Sequence, residues 1–277
     1  VEDAIKHAID YIRGSFHVPV SKLLQYNALL VPFANFLFKH PKKPIGDTHR
    51  HLQDFFWRTS LSGRYSSGAE GKIAQDLKRI DDVLAGKVPS YDYPIDTSKE
   101  FIKNNGWFSV GRSYIKAILC IYAGRHPKSF SNNATVHVSN DWLKQANSKN
   151  YHHFFPKAFM EKERKNVPYE QVNHILNITI VDDYLNKREI RAQAPSKYMK
   201  RFAKGNDEIE QTMKSHLIAL DGFGIWEDDF ERFFDRRANM VSKELSKRII
   251  PRQTDAGAQQ VKLNDYEEEA ASEETET

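Results

Sequence analysis

The chain has 277 residues, 40% hydrophobic and 12% aromatic, which is core material for one large domain or two ordinary ones and excludes a disordered protein. Its formal charge of +4 is unevenly spread: residues 264–277, NDYEEEAASEETET, hold seven acids and no Lys or Arg, so residues 1–263 stand at +11. A basic body with an acidic, low-complexity tail suits either a polyanion-binding protein whose tail screens its surface, or an ordinary solvated surface with a solubilising tail.

Residues 21–38 form an apolar helical run. Within it, ALLVPFANFLF is the longest apolar stretch, yet Pro32 and Asn35 interrupt it and it is too short to span a bilayer. No basic-then-apolar leader opens the sequence and the first residue is not Met, so the expectation is a cytoplasmic piece of something longer. PKKPIGD follows as a loop. DTHRHLQDF carries His49 and His51 without companion ligands at metal spacing, and SSGAEGKI departs from a phosphate-binding loop because Ser66 stands five before Gly71 and Ile73 follows Lys72. Both read as structure.

In GAEGKIAQDLKRIDDVLAG the residues Ile73, Leu77, Ile80 and Leu84 recur at helical spacing and Gly86 closes the run. PSYDYPIDTS is a loop, and residues 110–123 are a second apolar helix holding the single Cys120, which excludes a disulfide and a cysteine zinc site. Far downstream, IWEDDFERFFDRRANMVSKELSKRII (225–250) sets Trp226, Phe230, Phe233, Met240 or Val241, and Leu245 on one face. Arg232, Arg236, Lys243 and Lys247 fall on the other, a face that either tracks phosphates or is simply solvated. From about Arg252 the chain reads as a tail.

The chemistry lies between these helical parts, in KNYHHFFPKAF (149–159). Neighbouring side chains on a strand point to opposite faces, so His152 and His153 cannot touch the same thing. A surface histidine beside a core histidine is the plain reading of an isolated pair. Here the pair and Pro156 lead into a helix, KAFMEKERK, then a segment opened by Pro168, then NITIV (177–181), which alternates as a short strand. Asp182 and Asp183 are N-cap candidates for a further helix, DYLNKREIRAQ, bearing Asn186.

His152, His153 and Pro156, with Asn177 and then Asn186 nine residues after it, resemble the ββα-metal (HNH) endonuclease motif. The resemblance implies that His152 is the first metal ligand, His153 the general base, Asn177 the middle asparagine and Asn186 the second ligand. Together with FFWRTSLSGRYSSGAEGKIAQDLKRI, the pattern over most of residues 20–250 resembles the C-terminal half of GmrSD-type modification-dependent restriction proteins. It implies a mainly α fold with a small ββα-metal core, α+β overall. The expected organisation is a helical domain over 1–140, the nuclease core over 141–200, a helical segment over 201–252 packing on that core, and a disordered acidic tail over 253–277.

The implied activity is metal-dependent DNA cleavage, by nicking, in phage defence, with the nucleotide-hydrolysing domain of the same polypeptide lying outside this chain. An imidazole with an ordinary pKa near 6.5 is suited to taking a proton from water, and a divalent ion to polarising a phosphoryl oxygen. Asn177 either orients the base or pins the loop. Lys187, Arg188 and Arg191 are candidate DNA contacts or part of a solvated face. Many relatives carry Asp where this chain has His152, and two neutral ligands suit Mn²⁺ better than Mg²⁺, so the cofactor is one or the other. The alternative function is a non-catalytic helical module that binds DNA or a partner, its nuclease core decayed. RNA as substrate is weaker, because no aromatic sheet motif of the RNA-recognition kind is present.

Overall fold

The computed structural model describes residues 1–138, 151–181 and 190–260. Among the described residues six α-helices precede the histidine pair: α1 (Glu2–Phe16), α2 (Leu30–Lys39), α3 (Gly46–Leu61), α4 (Ala69–Leu84), α5 (Lys99–Asn105) and α6 (Ser113–Gly124). Strand β1 (Tyr151–His153) and helices α7 (Lys157–Glu163) and α8 (Tyr169–Val172) come next, then β2 (Ile178–Ile180). Helices α9 (Pro195–Gly205), α10 (Ile209–Ser215) and α11 (Phe230–Ser246) complete the described elements. The protein is mainly helical, and its one sheet among the described residues is the antiparallel pair β1–β2.

Helix α6 is apolar on every side but for Lys116. Tyr114, Ile115 and the run Ala117–Tyr122 are all buried, as a helix lacking a polar face must be. It lies against α3 and β2, and so joins the helical half to the histidine strand. Helix α1 is one-sided instead, burying Ala4, Ala8, Tyr11, Ile12 and Phe16 toward α2, which in turn packs on α4. Helix α11 buries Phe230, Phe233, Phe234, Arg237, Ala238, Val241, Glu244 and Leu245 against α5 and the turn Ile175–Asn177. Arg232, Arg236, Lys243 and Lys247 are exposed, as their spacing predicts; of the pair Met240 and Val241, the core takes Val241.

Three sequence expectations change. The helix expected over 225–250 spans Phe230–Ser246, which leaves Trp226 in the turn before it. Residues 21–29 do not extend α2 but form two 3₁₀ turns, Ser21–Leu23 and Asn27–Leu29. Gln25, between them, spends its amide on the Leu23 carbonyl at 3.2 Å and accepts from Ser60 Oγ at 3.1 Å, side-chain bonds that compete with a regular helix. At the other end, Gln253–Gln260 is a 3₁₀ helix, so order continues past Arg252. Asp255 accepts from Arg58 Nη1 and Nη2 at 2.8 and 2.7 Å, and from the backbone N–H groups of Ile95 and Arg252 at 3.0 and 2.8 Å. Arg58 also holds Asp54 at 2.9 Å, both fully buried, and Arg252 closes on Asp54 at 3.1 Å.

A second charged knot ties the loop to α4. Asp76, fully buried, accepts from Arg64 Nε at 2.9 Å, Arg79 Nη1 at 2.6 Å and Tyr65 Oη at 2.7 Å. The stretch SSGAEGKI is this helix's entry: Gly68 takes the left-handed conformation (φ +58°) at the N-cap, and Lys72 Nζ donates to Ser67 O at 2.6 Å. His49 Nδ1 lies 2.7 Å from Tyr11 Oη, inside the aromatic cluster of Phe16, Phe33 and Phe56. SSGAEGKI thus serves as a helix entry and His49 as part of the aromatic cluster.

Candidate functional site

Strand β1 pairs with β2 so that Tyr151 faces Ile180, His152 faces Thr179 and His153 faces Ile178. The two imidazoles leave the strand in opposite directions, as the period of two demands. His152 is 2% exposed, with its ring 6.3 Å from that of Phe130 and 6.1 Å from that of Tyr198. His153 is partly buried on the other side, its Nε2 3.0 Å from Asn173 Oδ1. Burial pushes the pKa of His153 down to about 4, with the Asn173 bond opposing that shift and the Lys157 charge adding to it. The ring is therefore neutral at physiological pH.

Asn177 ends the 3₁₀ turn Ile175–Asn177 just ahead of β2 and is 0% exposed. Its Oδ1 accepts from Phe155 N at 2.8 Å, while Nδ2 donates to Phe155 O at 3.0 Å and Val172 O at 2.9 Å. Its backbone O accepts from Phe154 N at 2.8 Å. A single side chain thus satisfies both backbone groups of Phe155 where the strand stops and Pro156 forbids further pairing. Of the two roles open to Asn177, its bonds are those of the loop pin.

The turn bearing Asn177 is itself suspended from three elements. Ile175 N donates to Gly106 O at 2.8 Å, Tyr122 Oη from α6 donates to Ile175 O at 3.2 Å, and Arg237 Nη1 from α11 donates to Leu176 O at 2.9 Å. Arg237 is fully buried; its other described contacts are the His216 carbonyl at 3.2 Å and the faces of Tyr122 and Phe233. Gly106 is needed here because a Cβ at that position would sit 2.3 Å from His174 Cε1. The Phe154 ring stacks on Phe233 at 4.7 Å, and Tyr198 Oη donates to the Phe154 carbonyl. The bulky residues of the motif thus anchor the hairpin to α9 and α11.

The structure brings His152, His153 and Asn177 together on the hairpin. Asn186, Lys187 and Arg188 lie outside the described residues. Arg191 is exposed and takes a left-handed backbone conformation (φ 52°). Among the described residues no group of three His, Cys, Asp or Glu side chains could hold a metal ion. A divalent ion at this end of the hairpin would find the His152 imidazole as its described donor, in aromatic surroundings, and imidazole suits Mn²⁺ better than Mg²⁺. No helix among the described residues is long and apolar enough to cross a membrane.

Reading the sequence alone passes over Asn173, Tyr198 and Arg237, whose partners stand 20 or more residues away. Lys157 is a further one; it donates to Tyr169 Oη at 3.0 Å, lies over that ring at 5.1 Å, and is close enough to lower the His153 pKa. A lysine directly after the motif proline was the available signal.

An uncharacterized protein of Methanocaldococcus jannaschii is 24% identical over 258 residues, covering 82% of this chain. The chain spans 41% of that relative's length. No family model and no solved structure matches.

Proposed function

We propose that the chain is a metal-dependent endonuclease of the ββα-metal type, acting on DNA by nicking, and the cleaving part of a restriction or phage-defence protein. The observation that carries this reading is the hairpin: adjacent histidines on opposite faces, closed by the Asn177 clamp on Phe155 and directly followed by Pro156 and α7. His153 accepts the proton of the attacking water. Asn177 keeps the strand end, and with it the His153 backbone, in place. Lys157 presents positive charge beside the base, where a scissile phosphate would lie. His152 and Asn186 would hold a divalent ion, Mg²⁺ or Mn²⁺, which supplies charge stabilisation of the phosphoryl and leaving oxygens.

Supercoiled plasmid incubated with the purified chain and Mg²⁺, Mn²⁺, Ca²⁺ or chelator tests the reading. Nicked product with Mn²⁺ or Mg²⁺, none with chelator, and a rate lower by ~10²–10⁴ in His153→Ala are expected, because a general base contributes that much. DNA affinity should hold in that variant, since phosphate contacts are untouched. Binding without metal-dependent cutting would replace the enzyme by a DNA-binding module.

A further inference from the structure

We propose that Asn173 is a positioning residue that fixes the ring of His153 as the Nε2–H tautomer, leaving Nδ1 as the nitrogen with the free lone pair. This rests on the nuclease reading for its purpose, but its geometry stands apart from it. Asn173 is 8% exposed and held on three sides: its N–H donates to Tyr169 O at 2.7 Å, its carbonyl accepts from Phe108 N at 3.0 Å, and Nδ2 donates to Phe108 O at 3.2 Å. The neighbouring bridge between Trp107 and His174 and the Ile175–Gly106 bond keep the two segments in register.

The two ends of a carboxamide differ only in what they can do, so its partners decide its orientation. A backbone carbonyl such as Phe108 O can only accept, which commits the NH₂ end of Asn173 to it. The oxygen is then the end facing His153 Nε2, at 3.0 Å. An oxygen can only accept, so the imidazole nitrogen that meets it carries the hydrogen. A neutral imidazole has one N–H, so its base nitrogen is Nδ1. Two asparagines four apart thereby divide the work. Asn177 bonds backbone and builds the loop, whereas Asn173 bonds the ring and sets which nitrogen faces the water.

The test uses the full chain with ¹⁵N-labelled histidine, and His153→Gln to assign the signal. A slowly exchanging Nε2–H on His153, beside an unprotonated Nδ1, is expected in the wild type; a ring proton on Nδ1 overturns the proposal. Asn173→Leu should lose that exchange protection. Asn173→Asp should retain it, because a carboxylate also accepts from Nε2–H. In plasmid cleavage Asn173→Leu should lower kcat by ~10- to 100-fold with KM unchanged, the usual effect of removing a partner that orients a histidine, and Asn173→Asp should recover most of it. Protection that persists in Asn173→Leu also overturns the assignment. A protected Nε2–H in a chain that never cuts DNA would leave the tautomer standing and remove the nuclease reading instead.

Discussion

Asn177 shows how much one buried carboxamide can do. Its three side-chain hydrogen bonds go to backbone groups of Phe155 and Val172, so Asn177→Ala would leave buried donors and acceptors without partners. Each such group costs about 1–3 kcal/mol, and the expected loss is roughly 3 kcal/mol or more, read as a lower denaturant midpoint. Asn177→Asp should also destabilise, because it keeps the acceptor and removes the donor. Lys157 carries a different prediction. It is half-buried and its described contacts are with Tyr169, so Lys157→Ala should cost at most about 1 kcal/mol of stability while weakening DNA binding and reducing its salt dependence by about one phosphate contact. An unchanged salt slope in a binding titration would take Lys157 off the DNA path.

At the scale of elements, the Asp255 clasp joins the 3₁₀ helix Gln253–Gln260 to α3 and to the loop before α5. Burial alone would raise the Asp255 pKa, but the bonds from Arg58 and from the Arg252 and Ile95 amides outweigh it and hold the carboxyl below its ordinary value. A carboxylate depressed in the folded state adds stability above its unfolded pKa of about 3.9 and loses it as pH falls through the folded value. Thermal melts of the wild type should therefore fall off on the acid side, and Asp255→Asn should lower stability at neutral pH while flattening that fall. Equal acid limbs in the two proteins would contradict this. The sequence made α4, α6 and α11 legible because their apolar residues recur at helical spacing. Helix α3 hid itself: Asp54, Arg58, Thr59 and Ser60 are buried within it and break the apolar stripe. The histidine pair, Pro156 and Asn177 were legible as a local spacing. Asn173 was not, because its contact with His153 spans 20 residues and follows from no local spacing.

For the whole molecule, charge is the main lever. The +11 over residues 1–263 predicts sequence-independent attraction to DNA that weakens steeply with salt, and deleting residues 264–277, which removes seven acids, should strengthen binding. The chain itself should be indifferent to ATP and GTP, since SSGAEGKI serves as a helix entry with Lys72 bound to Ser67 O. Filter binding across a salt series, with and without the tail and nucleotide, checks all three. Cutting that depended strictly on DNA modification would instead place recognition within the helical half.

The clasp also bears on the order in which the chain matures. Arg58 and Asp255 are separated by 197 positions, and Asp54 meets the Ile250 amide across 196. During synthesis α3, with Asp54 and Arg58 already on it, therefore emerges long before Asp255 and the Ile250 carbonyl, the remaining partners of Arg58, exist. Contacts so distant in sequence close slowly, since a very long loop must be ordered first. Until then the α3 surface that will hold Asp255 stays wet, and the helical half lacks its final seal. The nascent chain should thus gain full protease resistance only after residue 255 clears the ribosome, so that the histidine hairpin is locked into a finished body only once the clasp has closed.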